Sequence, residues 1–102
     1  MNFIDFIDWI EEKDPELKKM VLYKSLESLS EQNNELETKK RKKTSELEKI
    51  ARRMWQSTLE ILYNNVEKSI PKEKLKKGYT GWIDYLEEKE IAASFREGVE
   101  SL

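Results

Sequence analysis

The chain has 102 residues, 19 Lys and Arg against 21 Asp and Glu, and neither histidine nor cysteine. That length closes one modest core, and 37% hydrophobic with 39% charged residues predicts a single domain of amphipathic helices with solvated outer faces, too rich in aromatic and aliphatic side chains for disorder. Without Cys or His the chain has no material for disulfides, thiolate or imidazole metal sites, a cysteine nucleophile or the common acid–base pairs, so no metal, no cofactor and no enzymatic reaction are expected.

The opening MNFIDFIDWI sets Asp5 and Asp8 among apolar positions, which predicts an amphipathic helix and not a secretory signal, and with it an intracellular, cytoplasmic protein. Asn2 is positioned as its N-cap, and Phe3, Phe6, Ile7 and Ile10 form its apolar stripe, widened by Ile4 and Trp9. Lys13, Asp14 and Pro15 end it. Asp14 as N-cap and Pro15 at the first helical position start a second helix at once, with Leu17, Met20, Val21, Leu22, Leu26 and Leu29 inward, so the two helices meet in a tight corner. Residues 30–43 are polar apart from Leu36 and finish on Lys39, Lys40, Arg41, Lys42 and Lys43, either as a frayed helix end or as a connecting loop.

Ser45 with Glu48 reads as a capping box ahead of a long helix carrying Leu47, Ile50, Ala51, Met54, Trp55, Leu59, Leu62, Val66 and Ile70, stopped by Pro71. Cations before it favour the C-terminal dipole of the preceding helix, which predicts an αα-hairpin turning at about residues 37–45. Residues 72–77, KEKLKK, predict a short helical turn closed by Gly78 in a left-handed conformation. Thr80 then caps one last helix with Trp82, Ile83, Leu86, Ala93, Phe95, Val99 and Leu102, loosened near its end by Gly98. No apolar run reaches the length of a membrane span, so no membrane partner is expected. The expected fold is all-α: about five helices, two of them a long antiparallel hairpin against which the terminal units pack.

FIDWIEEKD at 6–14 reappears as WIDYLEEKE at 82–90, with Ile7, Asp8, Glu11, Glu12 and Lys13 matched identically, and LYKSLESL at 22–29 aligns with FREGVESL at 95–102 after a three-residue deletion. Two accounts stand: a duplicated unit covering 3–29 and 79–102, or chance among helices built from the same few residues. Charge distribution bears on the choice, since residues 1–37 carry ten acids and four bases, 38–77 five and thirteen, and 78–102 six and two. Acidic ends folding back on a basic centre would set the two units side by side about an approximate twofold.

Three groups are candidate sites. Phe6, Trp9, Trp82 and Tyr85 occupy matching places in the two units, with Tyr79 at the rim, and predict an aromatic-floored seam for a peptide or partner helix; core packing is the competing account. Lys39, Lys40, Arg41, Lys42 and Lys43, continued by Arg52 and Arg53, are the feature that points to nucleic acid, although no aromatic lies among them to stack a base and a solvated hairpin tip is the favoured account. Lys72, Lys74, Lys76 and Lys77, just before Tyr79 and Trp82, form a second such segment with the same competing account. Consecutive acids such as Glu11 with Glu12 diverge on a helix and grip no common substrate.

In its 102-residue length, its opening MNFIDFIDWIEEKD and its Lys- and Glu-rich helices, the chain resembles an orphan protein of a filamentous virus infecting the hyperthermophilic archaeon Acidianus. The resemblance spans the whole chain and rests on general appearance, not on a functional motif. It implies a viral origin, the host-cell cytoplasm and, as for many small viral proteins of this kind, a host or viral protein as partner. Asn33, Asn34, Asn64 and Asn65 depart from the scarcity of labile amides in proteins of hot environments. The combined expectation is a non-enzymatic interaction module that accepts a peptide, a helix or a second copy in its seam, with nucleic-acid binding as the alternative.

Overall fold

A computed structural model describes residues 1–101, and within them every regular element is helical. In chain order these are α1 (Phe3–Lys13), α2 (Pro15–Asn34), a single 3-10 turn (Thr38–Lys40), α3 (Thr44–Ser69), α4 (Lys72–Leu75), α5 (Tyr79–Glu88) and α6 (Ile91–Glu100). At about 1.5 Å per residue α2 runs roughly 30 Å and α3 roughly 39 Å. Paired as an antiparallel hairpin, they set the long axis of a molecule measuring 56 × 22 × 20 Å.

The other four helices gather around the half of the hairpin remote from its turn. Phe6, Ile10, Leu17, Leu59 and Leu86, from α1, α2, α3 and α5, are sealed from solvent in one core, and each side chain so buried contributes about 1.5–3 kcal/mol. On α3, Trp55 meets Phe95 of α6 at 6.0 Å and Tyr63 stacks on Trp82 of α5 at 5.2 Å, so this helix is the spine on which both chain ends are laid. The indole Nε1 of Trp55 is buried without an acceptor among the described residues. Towards the turn the hairpin is only two helices thick, with Leu47 and Ala51 buried in its seam.

Local sequence explains most boundaries. The Asn2 side chain accepts the Asp5 amide at 2.8 Å, as an N-cap should, and Pro15 opens α2. Asp14 does not cap α2: both its carboxylate oxygens take the Arg96 guanidinium of α6 at 2.7 Å, fastening the first corner to the last helix. Nor does Ser45 open α3, which begins a residue earlier and has no side-chain cap. The reason lies in the turn, where the Asn33 amide pairs with the backbone N–H and C=O of Lys42 at 2.8 and 3.0 Å, so that the chain enters the helix directly from a strapped, extended segment. Arg41 caps the end of α2 through the carbonyls of Asn34 and Leu36, both at 3.0 Å.

The single C-terminal helix expected after Thr80 is two helices. Gly78, at φ +64°, ends the α4 turn, and α5 starts at Tyr79 while the Thr80 hydroxyl donates back to the Lys77 carbonyl at 3.1 Å. Glu90 then takes a left-handed φ of +50° and α6 restarts at Ile91. At about 100° per residue, an unbroken helix would hold Phe95 on the side opposite Leu86. The corner lets both face the core, at the modest strain of a non-glycine residue in that region. Leu102 and its expected pairing lie outside the described residues.

Candidate functional site

The two units that share the repeated pattern lie side by side. Each is a helix, a sharp corner and a second helix: α1 turns at Asp14 into α2, and α5 turns at Glu90 into α6. Lys13 of the first unit pairs with Glu87 of the second at 3.1 Å, next to the Arg96–Asp14 bridge. Residues far apart in sequence, one from each unit, are thereby neighbours.

The aromatic candidates divide. Phe6 (0% exposed), Trp82 (3%), Trp9 (7%) and Tyr85 (9%) are all core residues, which corrects their expected place on the floor of an open groove, while Tyr79 is exposed. The cause is Tyr63 of α3. Its ring stands edge-on to Phe3 and Phe6, each at 5.5 Å, and lies parallel to Trp82, so it fills the seam that two units meeting alone would have left open. The Tyr63 hydroxyl donates to the Met1 carbonyl at 2.8 Å, and burial first, then the Glu67 carboxylate, raise its pKa above that of an ordinary phenol. Tyr63 was readable in the sequence, since it continues the stripe from Trp55 and Leu59 to Val66 at helical spacing.

What remains open is a shallow cleft above that aromatic layer. Trp9, itself 7% exposed, presents an edge to it, and Tyr79 and Ile83 of α5 complete an apolar floor in a concavity of about 420 Å³. Glu12, Lys13 and Glu87 form its polar rim. Tyr79 is 52% exposed, standing at the start of α5 where the Gly78 turn delivers it to the surface. Lys74 of α4 is paired with Glu88 of α5, and the lysine holds that carboxyl below its usual range by hydrogen bond and charge. Beneath them Gly81 is packed directly against the Lys74 backbone, so α4 braces the helix that carries Tyr79.

The first basic segment is at the opposite end. Lys39, Lys40, Lys42 and Lys43 are exposed at the hairpin turn, with Arg52 and Arg53 exposed on the first half of α3, and among the described residues none of the six has an acid within ion-pair distance. Arg41 is held as the cap of α2 and is structural. Of the second segment, Lys74 is committed to Glu88, while Lys72, Lys76 and Lys77 are exposed.

Among the described residues no three acids come together in a way that would hold a metal ion, and no helix is long and apolar enough to cross a membrane. Comparison with protein-family models, with curated proteins and with solved structures gives no match. The chemistry of the surface must therefore carry the functional reading alone.

Proposed function

We propose that the chain is a non-enzymatic interaction module that takes a peptide or helix of another protein into the cleft between its two helical units. The observation that carries this reading is the cleft itself, where Tyr79 and Ile83, with an edge of the otherwise buried Trp9, keep apolar surface open to solvent inside a charged rim. An aromatic anchor ringed by polar groups is the usual make-up of a binding hot spot. The matched sequences and the shared helix–corner–helix form support descent of both units from one duplicated ancestor, which makes the seam between them the natural place for a partner. Phe6, Trp82 and Tyr85 then act as the rigid floor, and Trp9 with Tyr79 as the contact residues. The rim has both signs, Lys13 against Glu12 and Glu87, and selects a partner by pattern rather than by net charge.

Selection of displayed random peptides on the immobilised protein tests the reading. Enriched peptides should lose about thirtyfold or more in affinity against Tyr79→Ala, as hot-spot aromatics do, while far-ultraviolet circular dichroism stays unchanged because Tyr79 is half-exposed. Peptides indifferent to Tyr79→Ala and to Ile83→Asp would refute it.

One observation favours a second reading, a nucleic-acid contact at the hairpin turn. Four exposed lysines project there beside Glu35 and Glu37, none with an acid within ion-pair distance among the described residues, while the acids of α1, α5 and α6 lie towards the other end of the hairpin, beyond the roughly 8 Å screening length at physiological salt. Labelled DNA and RNA titrated from low to physiological salt decide it: binding that persists, and that weakens uniformly in Lys39→Gln/Lys40→Gln, supports this alternative, and binding lost before physiological salt removes it.

A further inference from the structure

The hairpin carries an apolar face that the fold leaves without a third layer. On the side where Arg52 lies, Leu22 and Leu26 of α2 and Ala51 of α3 floor a trough of about 250 Å³, edged on α3 by Glu48 and Arg52. Tyr23, one turn before Leu26 and on its flank of α2, is 70% exposed and extends the apolar surface outward. On the other face the equivalent depression is lined by Lys24, Ser25, Glu27, Ser28, Glu31 and Met54, so the leucines are confined to one side of a two-helix arm.

We propose that this face pairs with the same face of a second copy, two hairpins crossing in antiparallel sense about a twofold axis to make a short four-helix layer. The residues round the trough are self-complementary under that operation. Leu22 and Leu26 are one turn apart on α2, Glu48 and Arg52 one turn apart on α3, and all four share one concavity. An axis through its centre and across the helices therefore exchanges both pairs at once: Leu22 meets Leu26 of the other copy, and Glu48 meets Arg52 of the other copy, each twice. A parallel arrangement would instead set the two basic turns, 39–43, against each other, whereas the antiparallel one carries each turn towards the acid-rich first unit of its neighbour. Further towards the base α1 closes the same side of the hairpin, with Ile7 and Glu11 meeting Arg52, Trp55 and Leu59. The copies must cross at an angle, near the roughly 50° of ridge-into-groove packing, for each turn to pass beside that helix.

Sedimentation equilibrium of the full chain, from about 1 to 100 µM, tests the proposal. A monomer–dimer equilibrium within that range is expected, abolished by Leu26→Glu with helicity retained. Glu48→Arg alone and Arg52→Glu alone should each weaken association about tenfold, since each reversal sets two like-charge contacts across the twofold, and the double variant Glu48→Arg/Arg52→Glu should recover it. The charge variants are solvent-facing and keep the test decisive even where Leu26→Glu unfolds the arm. A chain monomeric throughout the range overturns the proposal, as does a dimer indifferent to the charge reversals or not rescued by the double variant. Tyr79→Ala should leave association unchanged; loss of the dimer in that variant would move the interface to the α1–α5 cleft.

Discussion

Replacing Gly81 by alanine sets two known effects against each other at one position. In an ordinary helix interior the change stabilises by up to about 1 kcal/mol, because glycine surrenders more backbone freedom on folding. A Cβ at residue 81, however, would fall 1.8 Å from the carbonyl oxygen of Lys74 and 2.8 Å from its carbon, both backbone atoms of α4. To restore ordinary contact α4 must retreat by about 1.5 Å, and it is held by the Pro71 turn on one side and by the Lys74–Glu88 pair on the other. Overpacking of this kind costs about 1–3 kcal/mol, and a clash with backbone belongs at the upper end, which leaves a net loss of about 2 kcal/mol after the propensity gain. For a domain of this size that lowers the midpoint of thermal unfolding by roughly 10 °C, read by circular dichroism at one fixed protein concentration. Gly98→Ala is the internal control: it is helical with no atom of the described residues within 4 Å of the new methyl, so the same substitution should stabilise there by about 0.5–1 kcal/mol. A Gly81→Ala protein at least as stable as the parent would refute the close approach of α4 to α5, and with it the account of how Tyr79 is positioned.

Leu59→Ala removes a side chain 1% exposed at the centre of α3 and should cost about 2–5 kcal/mol in urea denaturation, whereas Ile61→Ala, at a position 63% exposed, should change stability by less than about 0.5 kcal/mol. A spectrophotometric titration should show a tyrosine component that ionises above the ordinary phenol value, and Tyr63→Phe should remove that component. Because the folded pKa of Tyr63 lies above the unfolded value, its contribution is fully present below pH of about 10 and is lost as pH rises through the folded value, so Tyr63→Phe should flatten the alkaline decline in stability. A double-mutant cycle on Asp14→Ala and Arg96→Ala should give a favourable coupling, since both Asp14 oxygens accept from the one Nη1 of Arg96, and a coupling of zero would show that the corner is fixed by packing alone.

The helical class, the long hairpin and the Asn2 and Pro15 starts were legible because each is written locally, in apolar spacing or in a residue that suits one backbone position. What misled was where tertiary partners redirect a residue that local rules assign elsewhere. Asp14 is a good cap, but Arg96 is 82 positions away in sequence and takes both its oxygens. Ser45 and Glu48 have capping-box spacing, but Asn33 straps Lys42 and sets an earlier entry into the helix. The corner at Glu90 was recoverable in principle, because Leu86 and Phe95 fall on opposite sides of a straight helix and both are apolar, but no glycine or proline marks it.

The aromatic seam shows the same division between what a local pattern encodes and what packing decides. The matched segments lie across a cleft that Trp9 shares with Tyr79 and Ile83. Their pattern could not say that Tyr63, from outside both segments, would occupy the space between Phe6 and Trp82. A pattern that appears twice specifies two similar surfaces, but the volume between them is fixed by whatever third element reaches it. Here α3 fills the lower part of the seam with an aromatic ring and leaves the upper part, at Trp9, Tyr79 and Ile83, as an open cleft, the one proposed above to take a partner. The residue whose replacement best separates floor from contact surface is therefore Tyr79, which the core does not need and the cleft does.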